Sequence, residues 1–155
     1  MKRFIACFLC IWSFAMGMQA TDIENITILT ERNGLSQNTV RDLMQDSQGF
    51  MWFCTINGLN RYDGKNFLNI YPALNNGAIH SDCRIREAVE DKHGFIWVLT
   101  YSETMYCYDP RLEQMVDFAP TDADKSYKNL LMDSSGDVWL WGSQGCLKVS
   151  IENGL

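Results

Sequence analysis

Hydrophobic and polar positions along this chain fall into short runs separated by turn residues, and the same order of runs returns three times. The clearest run is Phe50 to Thr55, aromatic and β-branched, which follows the turn-forming stretch Asp46-Ser-Gln-Gly49. It returns as Phe95 to Thr100 behind Asp91-Lys-His-Gly94, and as Val138 to Gly142 behind Asp133-Ser-Ser-Gly136. Asp46, Gly49 and Trp52 therefore recur as Asp91, Gly94 and Trp97 and then as Asp133, Gly136 and Trp139, with offsets of 45 and 42 residues. Self-similarity at ~40 to 50 residues is the mark of a repeat architecture, and this period suits a propeller blade of four short strands.

Each repeat predicts the same elements. Apolar residues stand six, three and two places before the repeat Asp: Val40, Leu43 and Met44, then Ile85, Ala88 and Val89, then Tyr127, Leu130 and Leu131. That spacing fits a helix or a bulged strand. The segment, Thr39 to Gln45 in the first copy, is short for a helix and runs straight into a hairpin turn, which favours the strand. In the turn, the Asp side chain can cap backbone N–H groups and the Gly can adopt positive φ. A turn is needed once per blade whereas a catalytic or calcium-binding carboxylate is needed once per site, so the repeated Asp is read as structural. The Trp is read as a filler between blades rather than a sugar-stacking platform. A second turn at Asn57-Gly58 leads to a third strand over Leu59 to Tyr62, with copies at Met105 to Tyr108 and Cys146 to Val149. A fourth covers Phe67 to Tyr71 or Met115 to Phe118.

The predicted fold is all-β: a partial β-propeller of about three four-stranded antiparallel blades, a piece of a seven-bladed ring. The boundaries are blade 1 at 35–78, blade 2 at 79–125 and an incomplete blade 3 at 126–155. Ile26 to Thr30, within a leading segment 21–34, occupies the place of a fourth strand without the three that should precede it. In a closed ring it would complete the last blade and cover an open edge. Propellers close with at least ~4 blades, so the chain is expected to be an N-terminal piece of a longer protein or a truncated reading frame.

Residues 1–20 stand apart from the repeats. Lys2 and Arg3 precede an apolar run from Phe4 to Met16, and small residues follow at Ala15, Gly17 and Ala20. That is the layout of a cleaved secretory signal peptide, and the run is short for a membrane span. Losing Lys2 and Arg3 takes the formal charge from −6 to −8, an acidic balance that argues against a nucleic-acid partner. Six cysteines become four on cleavage: Cys54, Cys83, Cys107 and Cys146. Cys54 shares a repeat slot with Leu99 and Trp141, and Cys146 shares one with Leu59, so both are read as core residues rather than as a disulfide framework. The cysteine spacings fit no zinc pattern, His80 and His93 lie in turns, and neither metal nor cofactor is expected.

Leu35-Ser-Gln-Asn-Thr-Val40, Asp46-Ser-Gln-Gly-Phe-Met-Trp52 and Gly58-Leu-Asn-Arg-Tyr-Asp63 together closely resemble the two-component regulator propeller repeat. The second copy departs from it where Gly58-Leu59 becomes Glu103-Thr104, and the third where Tyr62-Asp63 becomes Val149-Ser150. The resemblance implies the sensor region of a hybrid two-component histidine kinase, exported to the periplasmic side of the inner membrane of a Gram-negative bacterium and often controlling polysaccharide use. It further implies downstream propeller, membrane, kinase and receiver regions as partners, and a homodimer in the full-length protein. No nucleotide-binding glycine-rich segment or phospho-accepting His context is found in the chain, which is therefore expected not to be an enzyme. An oligosaccharide is the expected ligand. The alternatives are a glycan-active enzyme, since the repeated turn loosely resembles the Asp-box of propeller glycosidases, and a protein-interaction scaffold. Arg41 and Arg86, at matched inner-strand positions, are the candidate ligand-binding residues: they could line a central channel, or pair with Asp42 and Glu87, the reading preferred here.

Overall fold

The computed structural model describes residues 26–72, 82–116, 127–143 and 145–149. Eleven strands and one 3-10 turn make up the described structure. Blade 1 contains β1 (Val40–Gln45), β2 (Met51–Thr55), β3 (Gly58–Tyr62) and β4 (Phe67–Ile70). Blade 2 contains β5 (Ile85–Glu90), β6 (Ile96–Thr100), β7 (Met105–Asp109) and β8 (Gln114–Val116). Blade 3 contains β9 (Asn129–Met132), β10 (Val138–Gly142) and β11 (Gly145–Val149). Each blade is one antiparallel meander in chain order, four-stranded in blades 1 and 2 and, among the described residues, three-stranded in blade 3.

The first strand of each repeat is a strand, and its unusual apolar spacing has a physical cause. Val40 pairs with Thr55 and Asp42 with Cys54, so Arg41 is the extra residue of a β-bulge. Ile85 pairs with Thr100 and Glu87 with Leu99, which makes Arg86 the bulge residue of β5. One inserted residue shifts the strict alternation of a strand by one, and the outcome imitates a helical period. Ahead of β1 a 3-10 turn spans Glu31–Asn33, capped by Thr30 and closed by Gly34 at φ 104°. Residues 26–30 take part in no strand, and Ile26 and Ile28 are exposed. The signal segment 1–20, His80 and the end of the fourth strand beyond Val116 lie outside the described residues.

Two apolar layers hold the blades together. One contains Trp52, Cys54 and Leu59 of blade 1 against Ile85, Ala88, Ile96, Val98 and Tyr108 of blade 2. The other contains Trp97, Leu99 and Cys107 of blade 2 against Tyr127, Leu130, Val138 and Leu140 of blade 3. Alternate residues of β6 thus serve opposite layers, and all five are buried. Burial on both faces is particular to β6 and does not extend to its equivalents. In β2, Met51 and Phe53 are only half-buried, and in β10 Trp139 is half-buried and Trp141 exposed, because those faces have no neighbouring blade among the described residues. Cys146 pairs in register with Trp141, the slot of Leu59 opposite Cys54, yet it is exposed rather than a core residue for the same reason.

Candidate functional site

The repeated Asp, Gly and Trp prove to be one structural device. One carboxylate oxygen of Asp91, Oδ1, accepts from the N–H groups of His93 and Phe95 at 2.8 and 3.1 Å, and Oδ2 accepts from Trp97 Nε1 at 2.8 Å. Asp46 holds Gln48, Phe50 and Trp52 in the same way, at 3.0, 2.9 and 2.7 Å. Asp133 holds Ser135, Asp137 and Trp139, at 2.8, 3.1 and 2.8 Å. Gly49, Gly94 and Gly136 close the turns at φ of 91°, 83° and 76°, where a side chain would be strained. The carboxylate therefore closes the hairpin and orients the indole that packs on the following blade. Trp52 meets Tyr108 of blade 2 edge-on, with ring centroids 5.9 Å apart. These nine residues belong to the scaffold.

A polar buckle accounts for Ser36, Gly58 and Asn60 of the first-copy motif. Asn60, fully buried, accepts from the Ser36 N–H at 2.8 Å and donates to the carbonyl of Phe53 at 3.2 Å. The Ser36 and Thr55 hydroxyls lie 2.9 Å apart, and the N–H of Gly58 reaches across to the Cys83 carbonyl of the next blade at 2.8 Å. Where the second copy departs, Glu103 adopts φ 64°, the left-handed conformation that a glycine would reach more cheaply.

The innermost strands β1, β5 and β9 lie side by side at the blade-to-blade seam. Asp42 Oδ2 accepts from the Ala88 N–H at 3.4 Å, and Glu87 Oε2 from the Leu130 N–H at 3.0 Å, so equivalent carboxylates hook each blade to the next. Beside these hooks opens a cleft of about 540 Å³, lined by Arg41, Asp42, Arg86, Glu87, Tyr101 and Leu130 among others. Both candidate arginines thus line the same cleft. Arg86 also pairs with Glu87 at 3.2 Å, whereas Arg41 lies 5.7 Å from the ring centroid of Tyr101. The pairing preferred from sequence is present for Arg86 and replaced for Arg41 by an aromatic face. Tyr101, in the turn after β6, has a second arginine nearby, Arg84, at 5.9 Å. Asp82 engages Arg84 at 2.7 Å, and that guanidinium holds the Asp82 carboxyl down at about 2.

Sequence reasoning missed Lys128. It stands 42 residues after Arg86, the offset that separates Trp97 from Trp139, and its N–H donates to the Trp141 carbonyl at 3.0 Å just before β9 begins. Lys128 is therefore the blade-3 counterpart of Arg41 and Arg86, and applying the repeat offset to Arg86 would have found it. Its ammonium lies 3.8 Å from Glu103. The buried thiols offer no nucleophile. Burial pushes the Cys107 thiol up to about 12 and raises that of Cys54 further, with Asp42 and Glu87 adding to the rise at Cys54. Among the described residues no group of three or more His, Cys, Asp or Glu could hold a metal ion, and no helix is long and apolar enough to cross a membrane.

Consecutive antiparallel meanders packed face to face, innermost strands side by side and an oriented Trp between each pair, are blades of a β-propeller. Residues 34–57 match the model of the two-component regulator propeller, so the chain carries that repeat. Among solved structures, it is similar to the extracellular domain of a hybrid two-component system from B. thetaiotaomicron, with 25% identity, a TM-score of 0.60, and coverage of 74% of this chain and 17% of that one. PorZ, a surface component of the type-IX secretion system of Porphyromonas gingivalis, shares the fold at 21% identity and a TM-score of 0.51, over 65% of this chain and 15% of that one. A streptogramin B lyase shares it at 12% identity and a TM-score of 0.51, over 84% and 44%. The chain thus spans less than half the length of each of these structures. No curated protein sequence matches it.

Proposed function

We propose that this chain is part of the exported sensor propeller of a hybrid two-component signalling protein, that it works on the periplasmic side of the inner membrane of a Gram-negative bacterium, and that it responds to glycan-derived oligosaccharides. The observation that carries this reading is the coincidence of a two-component regulator propeller repeat at residues 34–57 with likeness to a hybrid-system extracellular domain at 25% identity. The lyase shares the fold at 12% identity, so architecture alone does not choose between sensing and catalysis. The cleft supports sensing: it offers cations and an aromatic face, the groups that hold and orient a polar ligand. In the full-length protein, further blades would complete the ring, and a homodimer would carry the signal across the membrane to a kinase. The test is a glycan array probed with the purified chain, followed by chromatography of each bound oligosaccharide after incubation. Retention of a glycan that is recovered unchanged supports the sensor. A cleaved or eliminated product would make the chain an enzyme, and an array without binding would remove the glycan reading.

A further inference from the structure

Three successive blades place a cation at the same point of the inner seam. Arg41 and Arg86 are the bulge residues of β1 and β5, and Lys128 is their counterpart ahead of β9. Bulges re-aim a side chain that regular alternation would point elsewhere. Here the first two deliver guanidinium groups into one cleft. This happens on a chain whose formal charge is −6, where an arbitrary surface cluster would be expected to be acidic.

Two carboxylates, Asp42 and Glu87, line the same cleft, each with an oxygen already held by the fold. Asp42 and Glu87 each accept from a backbone N–H of the next blade, and Asp82 is taken by Arg84. Glu87 also meets Arg86, and Glu103 meets Lys128 only at 3.8 Å. Arg41 is exposed and forms no ion pair among the described residues, and its guanidinium lies over the Tyr101 ring. Tyr101 is itself 41% exposed, which leaves part of the ring open to a ligand.

We propose that Arg41, Arg86 and Lys128 form a cationic collar that binds the anionic group of an acidic oligosaccharide, a carboxylate or a sulfate, while Tyr101 supports the adjoining sugar ring. This inference rests on the glycan-sensing reading above and narrows its ligand class. Guanidinium groups suit both anions, because their planar donor fork can engage two oxygens at once. Lys128 would add a flexible point charge from the equivalent position of blade 3. The collar selects for charge rather than for one sugar, since the described contacts supply cations and an aromatic face.

Calorimetry on the full chain tests it with four probes: an oligogalacturonate, a sulfated galactan oligosaccharide, the neutral galactan oligosaccharide and inorganic sulfate. At least one acidic oligosaccharide is expected to bind more tightly than the neutral one, and binding is expected to weaken as salt rises. Losing a charge-assisted contact predicts about a tenfold loss of affinity for Arg41→Gln or Arg86→Gln, and a smaller loss for Arg→Lys at either position. Lys128→Gln should weaken the same probe. Circular dichroism matching that of the unmodified chain establishes that each variant is folded. The carboxylated and sulfated arms distinguish the two anion sources. Equal binding of neutral and acidic oligosaccharides, or affinity unmoved by both Arg→Gln variants, overturns the collar and leaves glycan sensing standing. Binding of inorganic sulfate alone also overturns it, and no binding of any oligosaccharide overturns both readings.

Discussion

Replacing Asp91 by alanine removes a carboxylate that serves three donors at once. Two of them, the Phe95 N–H and Trp97 Nε1–H, make buried hydrogen bonds, and Trp97 is only 1% exposed. A buried donor stripped of its acceptor costs about 1 to 3 kcal/mol, so the two together predict a loss of roughly 2 to 6 kcal/mol. That is a large part of the ~5 to 15 kcal/mol that stabilises an ordinary domain. Asp91→Asn keeps the acceptor for the two turn N–H groups but directs an amide N–H toward the indole N–H, so it should cost less than alanine. The assay is urea unfolding followed by tryptophan fluorescence and far-UV circular dichroism, at concentrations where sedimentation shows no association. Trp97→Phe, alone and combined with Asp91→Ala, then isolates the indole bond, since phenylalanine retains an aromatic filler without the N–H. A positive coupling is expected: the double variant should lose less than the two single losses added together. An Asp91→Ala variant within ~0.5 kcal/mol of the unmodified chain would falsify the assignment of this carboxylate as the organiser of the turn.

Trp97→Ala removes a side chain packed on blade 3 and should cost ~3 to 5 kcal/mol by the same unfolding assay, with Trp139→Ala costing less because Trp139 is half-buried. Gly58→Ala should lower the melting temperature: its φ is 105°, and an added Cβ would stand 2.9 Å from the Ile70 carbonyl oxygen. Asp137, held by Lys148 and Lys92, titrates at about 2 against an ordinary 3.8. Its stabilising contribution is therefore fully present above 3.8 and is lost as pH falls toward 2, so Asp137→Asn should flatten the acid side of the stability profile in that window. Trp141 is 39% exposed on an outer face of blade 3, and sedimentation at increasing concentration should show self-association that Trp141→Lys reduces. Unchanged association in that variant would place the contact elsewhere.

The blade pattern was legible because its signals are local. Asp91, Gly94 and Trp97 lie within one hairpin, and their spacing is set by the turn they close. The bond from indole to carboxylate was not legible, since residues six apart along a strand-turn-strand path meet only once the hairpin folds. Asn60 shows a different failure: an asparagine in a strand reads as polar surface, yet here it is fully buried because Ser36 and Phe53 satisfy it. Repeat slots also could not convey burial. Trp141 occupies the slot of Leu99, but Leu99 has a neighbouring blade on that face and Trp141 has none among the described residues. Of the site, Arg41 and Arg86 could be matched by alignment within the repeat. The aromatic partner of Arg41 could not, because Tyr101 belongs to the next blade's turn and reaches Arg41 across 60 positions of sequence.

The hooks from Asp42 to Ala88 and from Glu87 to Leu130 all point one way, each acid reaching toward a residue synthesised later. Burial has the same direction, since Trp52 is covered by blade 2 and Trp97 by blade 3. A chain emerging N-terminus first from a ribosome or a translocation pore is therefore left each time with an unfinished side that only the next forty-odd residues can cover. Blade 1, once synthesised, has its hairpins but not its anchorage, and it stays open to proteases and chaperones until β5 arrives. Folding should proceed as a ratchet, each arriving blade locking its predecessor. An arrested chain ending near residue 72 should accordingly be cut far faster around Trp52 than one extended through Val116.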